Sequence, residues 1–279
     1  MRAMINICCQ SKLPWNLPML VKNQREILPR LPENDLLSPS ATLWLLDGSQ
    51  LRDEDLRSFA ARLSASEARR FADFARPTRR RQFLLGRMLL RYAAADLTGL
   101  SASKLSVLEL SPHKPPQLIF PDGQRLAPNF SLSHSGEWVA CVMSAEATLG
   151  LDIEVNQPNR DLDAISEIAF HPREHIWFVA QPSVERVSAF YSLWCAREAL
   201  FKLLCNLGCA TDVSPLVGDE NAGIFQNNGR HRYPLQVPDL TVVVFSDRQL
   251  LAIHQRILTG SSPADWLVKA ENSLCPLSE

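Results

Sequence analysis

A chain of 279 residues with 46% hydrophobic side chains has enough apolar surface for one large domain or two modest ones. Its 29 Lys and Arg nearly balance its 30 Asp and Glu, so no field of the whole molecule draws in nucleic acid or an anionic membrane, and charge recognition is left to local clusters. The 7 cysteines are scattered and odd in number, with only Cys8 and Cys9, and Cys205 and Cys209, near one another; this gives neither a disulfide framework nor zinc-ligand spacing and points to a reducing cytoplasm.

The first forty residues are proline-rich, and Pro14 and Pro18 break their apolar stretch before it reaches the length of a signal-peptide core. They close on Leu37, Ser38, Pro39 and Ser40, an irregular arm (residues 1–40) ahead of the apolar run Thr42 to Leu46. From Ser64 to about Leu97 the pattern is helical. Ser64 with Glu67 forms a capping box, Pro77 suits the first turn of a second helix, and Phe83, Leu84, Met88, Leu90 and Tyr92 make a buried stripe on it. Short strands are predicted over Gln117–Phe120, Asn129–Leu132, Trp138–Ser144 and Leu149–Val155, separated by turn signals. Beyond Asn156 come two short acidic helices and a long one, roughly Val184 to Leu204, then strands at Thr241–Phe245 and Leu250–His254. No apolar run reaches the roughly 20 residues needed to cross a bilayer.

This order predicts an α+β protein of two similar, pseudo-twofold-related halves, each a small, largely antiparallel sheet packed with a long helix. The boundary is placed near residue 148, with an N-terminal half over 41–148, a C-terminal half over 149–260 and a tail over 261–279. The segments Ser135–Ser144 and Ser246–His254 occupy comparable places, although their similarity does not prove a repeat.

Four features carry chemistry. In Gly150-Leu151-Asp152-Ile153-Glu154, the strand period of two puts both acids on one face and Leu151 and Ile153 on the other. The acids are either solvated or compensated by a hard divalent cation such as magnesium. On the long helix Glu198 and Lys202 stand one turn apart, with Trp194 one turn before them; this is a surface ion pair or, given the apolar neighbours Leu200 and Phe201, the edge of a cleft. Ser133 and His134 end a strand at a tight turn, bonded locally or donating to a phosphate. Arg69, Arg70, Arg76, Arg79, Arg80, Arg81, Arg87 and Arg91 form a cationic helical stretch with Asp73 as its single acid, a solvated face or a site for a small polyphosphate or an acidic protein surface.

Taken in order, these blocks resemble the Sfp-type 4′-phosphopantetheinyl transferase family, over roughly residues 64 to 205. The resemblance rests on Gly150 to Glu154, then some forty residues on Trp194 to Lys202, with Phe83-Leu-Leu-Gly86-Arg87 through Arg91, His113-Lys114-Pro115 and Phe130 to Gly136 upstream. It implies an enzyme that moves the phosphopantetheine arm of coenzyme A onto a serine of an apo acyl carrier protein or peptidyl carrier domain, releasing 3′,5′-ADP. Asp152, Glu154 and Glu198 would hold magnesium, with manganese as an alternative. Lys114, Ser133 and His134 would meet the 3′-phosphate and adenosine end, with Arg70, Arg80, Arg81 and Arg87 adding phosphate contacts. Glu198 would act as general base and Lys202 would stabilise the departing 3′,5′-ADP. A cytoplasmic monomer is implied, with no nucleic-acid or membrane partner. One departure stands out: Arg197 occupies the place of the family's usual lysine. Two other readings remain open at this stage, a homologue that binds coenzyme A without transfer and a metal-dependent phosphohydrolase built on Asp152 and Glu154.

Overall fold

The structure, a computed structural model, describes residues 39–109, 115–120, 129–209, 215–217 and 229–258. The expected tail and all but the last two residues of the expected arm lie outside these, as does Lys114.

Strand β1 (Ser40–Asp47) is buried along both faces, with Leu43, Trp44, Leu45 and Leu46 all fully covered. A strand with no polar alternation must have a layer on each side, and this one does. Trp44 and Leu46 pack against helix α3 (Pro77–Thr98), together with Leu85, Leu89, Val139, Cys141 and Met143. Leu43 and Leu45 face the other way, into a core shared with Ala140, Val142, Leu149, Leu151, Ile153, Val242 and Val244. Those residues come from β5 (Trp138–Ser144), β6 (Leu149–Val155) and β8 (Leu240–Ser246). The outer face of β8, through Val243 and Phe245, packs on α6 (Arg186–Leu207) with Phe190, Leu200 and Leu203. The layers therefore run helix, sheet, sheet, helix.

The first sheet has the order β4-β5-β1-β9, with β4 spanning Asn129–Ser135 and β9 Ala252–Leu258. The second is β6-β8-β7, with β7 over His231–Val237. All pairings in these sheets are antiparallel except β1 with β9. Strands β2 (Ser106–Leu108) and β3 (Gln117–Ile119) form a small separate pair. The fold is thus α+β with small, largely antiparallel sheets. The expected boundary near residue 148 falls between β5 and β6, while β9 crosses back to pair with β1.

Local chemistry explains the element ends. Ser64 and Glu67 make the reciprocal capping box of α2 (Ala65–Ala72), and Pro77 opens α3. The two long helices, 22 residues each, both stop on a left-handed glycine, Gly99 (φ 69°) and Gly208 (φ 67°), a conformation glycine adopts without steric cost. The short helices expected after Asn156 are α4 (Leu162–Ala169) and α5 (Pro172–Val179). Helix α1 (Asp53–Ala60) was not legible from the pattern, and neither was β7, whose Pro234 argues against a strand. That proline is tolerated because β7 is an edge strand, where a missing N–H breaks no ladder on its outer side.

Candidate active site

The alternation of β6 is decisive. Leu149, Leu151 and Ile153 enter the core between the sheets, so Gly150, Asp152 and Glu154 face α6. At Gly150 the helix backbone comes so close that a Cβ would lie 2.5 Å from the Leu203 nitrogen and nearer still to the Ala199 carbonyl oxygen. This close approach lays α6 directly against β6, so that Lys202 reaches Asp152. Lys202 Nζ donates to Asp152 Oδ1 at 2.7 Å, to the Leu151 carbonyl at 2.9 Å and to Ser133 Oγ at 3.0 Å. Ser133 in turn donates to Asp152 Oδ1 at 2.7 Å, and Ser135 donates to Glu154 Oε2 at 2.5 Å. Residues from β4, β6 and α6, distant in sequence, thus converge on one buried carboxylate, Asp152.

The model of the 4′-phosphopantetheinyl transferase superfamily matches residues 148–233, the stretch that contains β6 and α6. The 4′-phosphopantetheinyl transferase HetI of Nostoc sp. is 30% identical over 182 residues, which cover 64% of this chain and 74% of that protein. The 4′-phosphopantetheinyl transferase psf-1 of Bacillus pumilus is 32% identical over 152 residues, 54% and 60% of the two chains, and that of Bacillus subtilis 33% over 119 residues, 43% and 50%. This chain belongs to the 4′-phosphopantetheinyl transferase superfamily.

In this transferase the carboxylates are short of positive charge. Asp152 Oδ2 is buried with no hydrogen-bond partner. Burial, and then the neighbouring Asp152, push the Glu154 carboxyl up to about 7. Burial likewise raises Glu198, against the opposing pull of Lys202. Hard oxygen donors with an orphaned lone pair on Asp152 fit a small divalent cation in their chemistry. Among the described residues, however, no group of three or more His, Cys, Asp or Glu is already arranged to hold a metal ion, and the Lys202 ammonium is what sits on Asp152.

The Glu154 shift has a measurable consequence. An acid whose folded value lies above its ordinary 4.5 binds protons more tightly in the native state, so its contribution to stability is fully present below about 4.5 and is lost as pH rises through about 7. Measured relative to Glu154→Gln in chelator, the melting temperature of the wild-type protein is expected to fall between about pH 5 and about pH 8, a comparison that cancels the opposite slope from His134, whose imidazole burial pushes down to about 3. An identical slope in the variant would show that another group is responsible.

His134 lies at the other end of the site. Burial first, then the Arg79 and Lys202 charges, push its imidazole down to about 3, so it is neutral at physiological pH. Arg79 Nη1 lies 2.7 Å from His134 Nε2. A guanidinium can only donate, so Nε2 accepts and the ring proton resides on Nδ1. Arg79 also donates to Gln82, whose amide donates to the Gly136 carbonyl, tying α3 to the β4–β5 turn.

The remaining arginines are differently employed. Arg81 is spent on Glu137, Asp53 and the carbonyls of Gly48 and Leu51. Arg87 is buried and held by Glu109 and Glu67, Arg70 also reaches Glu109, at 3.7 Å, and Arg80 lies over the Phe71 ring at 4.5 Å. Arg197 turns to α5, where it donates to the fully buried Glu174 at 2.7 Å, and the other oxygen of Glu174 accepts from the Leu216 N–H. Sequence reasoning singled out Ser133, His134, Asp152, Glu154, Glu198 and Lys202. Ser131 and Ser135 stood in the same motif with no role assigned, although the Ser-x-Ser-x-Ser alternation of β4 was a visible signal, and Asn206 carried no signal at all.

Proposed function

We propose that this enzyme transfers 4′-phosphopantetheine from coenzyme A to a serine of an apo acyl carrier protein or peptidyl carrier domain, with release of 3′,5′-ADP and dependence on magnesium, which manganese can replace. The observation that carries the reading is the convergence of Ser133, Asp152 and Lys202 in one hydrogen-bonded cluster with Glu154 alongside. Asp152, Glu154 and Glu198 would hold the metal, which when bound supplies positive charge to offset the negative charge of the pyrophosphate.

The protein's own groups account for the rest. The neutral imidazole of His134 has its Nδ1–H to offer a phosphate oxygen, and Ser133, Lys114, Arg70, Arg80, Arg81 and Arg87 are the further contacts assigned to coenzyme A. Arg81 and Arg87 would have to share their guanidinium groups with the carboxylates they already hold. The carrier serine oxygen forms a bond to the phosphorus next to the pantetheine while the bond from that phosphorus to the ADP oxygen breaks. Glu198 takes the serine proton, directly or through a water, and burial raises its pKa, the direction that makes a carboxylate a stronger base. The Lys202 ammonium stabilises the charge that collects on the leaving oxygen. This reading is of a monomer working in the cytoplasm. No helix among the described residues is long and apolar enough to cross a membrane.

Intact-mass measurement of an apo acyl carrier protein and an apo peptidyl carrier domain, each incubated with the enzyme, coenzyme A and magnesium, tests the reading. The expected result is a gain of one phosphopantetheine, lost in chelator and lowered by about 100-fold or more in rate in Glu198→Ala. A gain that survives both controls would remove Glu198 and the metal from the mechanism.

A further inference from the structure

Strands β4 and β6 run side by side in the same direction, yet they belong to different sheets and share no backbone ladder. Edge N–H groups inside such a seam need acceptors, because a buried unpaired donor is costly. The acceptors are serines two residues apart. The N–H groups of Leu151, Ile153 and Val155 donate to Oγ of Ser131, Ser133 and Ser135 at 3.0, 3.3 and 3.0 Å. Ser133 and Ser135 then donate their own protons to Asp152 and Glu154. Helix α6 stitches the same strands together from its side. Asn206 Nδ2 donates both to the Phe130 carbonyl on β4, at 3.2 Å, and to the Leu149 carbonyl on β6, at 2.8 Å. It lies one turn beyond Lys202, which bridges Ser133 and the Leu151 carbonyl.

In a ladder the spacing of two strands is fixed by peptide geometry at about 4.8 Å. Here it is set by side chains, and so is the distance from Ser133 and His134, on β4, to Asp152 and Glu154, on β6. Ser131 and Asn206 hold the end of the seam farthest from the β4–β5 turn, and carry no charge. Ser131 is buried.

We propose that Ser131 and Asn206 are positioning residues for transfer: they lock β4 to β6 and so fix the spacing across which one end of coenzyme A is held by Ser133 and His134 and its pyrophosphate by the carboxylate side. The proposal rests on the transfer reading above. Neither residue touches the reacting atoms. Their effect is to hold two halves of one binding surface in register, and a misplacement of about 1 Å at such a surface can cost on the order of 100-fold in rate.

The test uses the full chain with Ser131→Ala, Asn206→Leu and the hydroxyl-preserving Ser131→Thr. In Ser131→Ala the Leu151 amide, deprived of its acceptor, is expected to exchange its hydrogen at least about 10-fold faster, while amides of β5 and α3 keep their protection. Both Ser131→Ala and Asn206→Leu should lower kcat by about 10- to 100-fold, with a smaller change in KM for coenzyme A, and Ser131→Thr should recover most of the loss. A kcat within about 2-fold of wild type in both well-folded variants would overturn the positioning role, as would losses that track melting temperature and vanish on cooling. Should Ser131→Ala fail to fold, Asn206→Leu decides alone. If the wild-type protein transfers nothing to either carrier, the transfer reading fails and the positioning role falls with it, an outcome distinct from a normal wild-type rate that the variants leave untouched.

Discussion

Gly150→Ala is expected to unfold the lobe built on β6 and α6. An added methyl would press on backbone atoms of α6, the Ala199 carbonyl oxygen and the Leu203 nitrogen, and not on the mobile end of a side chain. Overpacking into a core that can shift costs about 1–3 kcal/mol. Here the helix would have to rise off the strand along its length, taking Phe245, Leu200 and Leu203 out of contact, and we expect more than about 4 kcal/mol. Circular dichroism and urea titration would show it as loss of the cooperative transition. Gly86→Ala is the control. A methyl there meets only Val139 Cγ1, at 3.8 Å, and sits within α3, so this variant should be stabilised by up to about 1 kcal/mol. A folded Gly150→Ala with native stability would show that β6 and α6 are not in the contact described.

Asp152→Asn is expected to abolish most of the transfer while leaving the fold in place. The asparagine carbonyl can still accept from Lys202 and Ser133, as Asp152 Oδ1 does at 2.7 Å from each. What is lost is the negative charge and the orphaned Oδ2, the atom most in need of a cation. Removing one preorganised electrostatic group from a site of this kind lowers turnover by about 10²–10³. Stability should fall by about 1–3 kcal/mol in chelator, because the amide removes the counter-charge of Lys202 and sets an NH2 donor where Oδ2 is buried without a partner, partly offset by relief of Glu154. Carrier mass shift over time gives the rate, and a thermal melt gives the fold. Transfer at the wild-type rate would show that Asp152 serves only to seat Lys202.

The local rules carried the reading a long way. The capping box at Ser64, Pro77 at the start of α3, the buried stripe from Phe83 to Leu90 and the two-residue alternation of β6 are all statements about near neighbours, and the structure bears out each of them. Glu198 and Lys202 share one face of α6 by the same repeat, but the hydrogen bonds of Lys202 run to Asp152, Leu151 and Ser133. Periodicity reports which side chains share a face, because the helix and strand repeats are fixed by the backbone. It says nothing about what that face meets.

Three outcomes needed the tertiary structure. Arg79, Arg81 and Arg87 stand close together on one helix, yet Arg79 meets His134, Arg81 meets Glu137 and Asp53, and Arg87 meets Glu109 and Glu67. Their fates depend on where the chain returns. Arg197 looks like a substitute for a lysine at the active site, but a buried Glu174 from another helix claims it. The serines of β4 look like ordinary strand residues until β6 arrives from a different sheet with unpaired N–H groups to satisfy. The sequence by itself determined most of the elements, α3, β6 and α6 among them but not α1 or β7, with their inward faces and the carboxylates and ammonium available for chemistry. Only the packing of α6 across the seam of two sheets decided that Lys202, Ser133 and Asp152 share one point in space, because contacts between residues 19 to 69 positions apart are set by how layers stack and not by any local repeat.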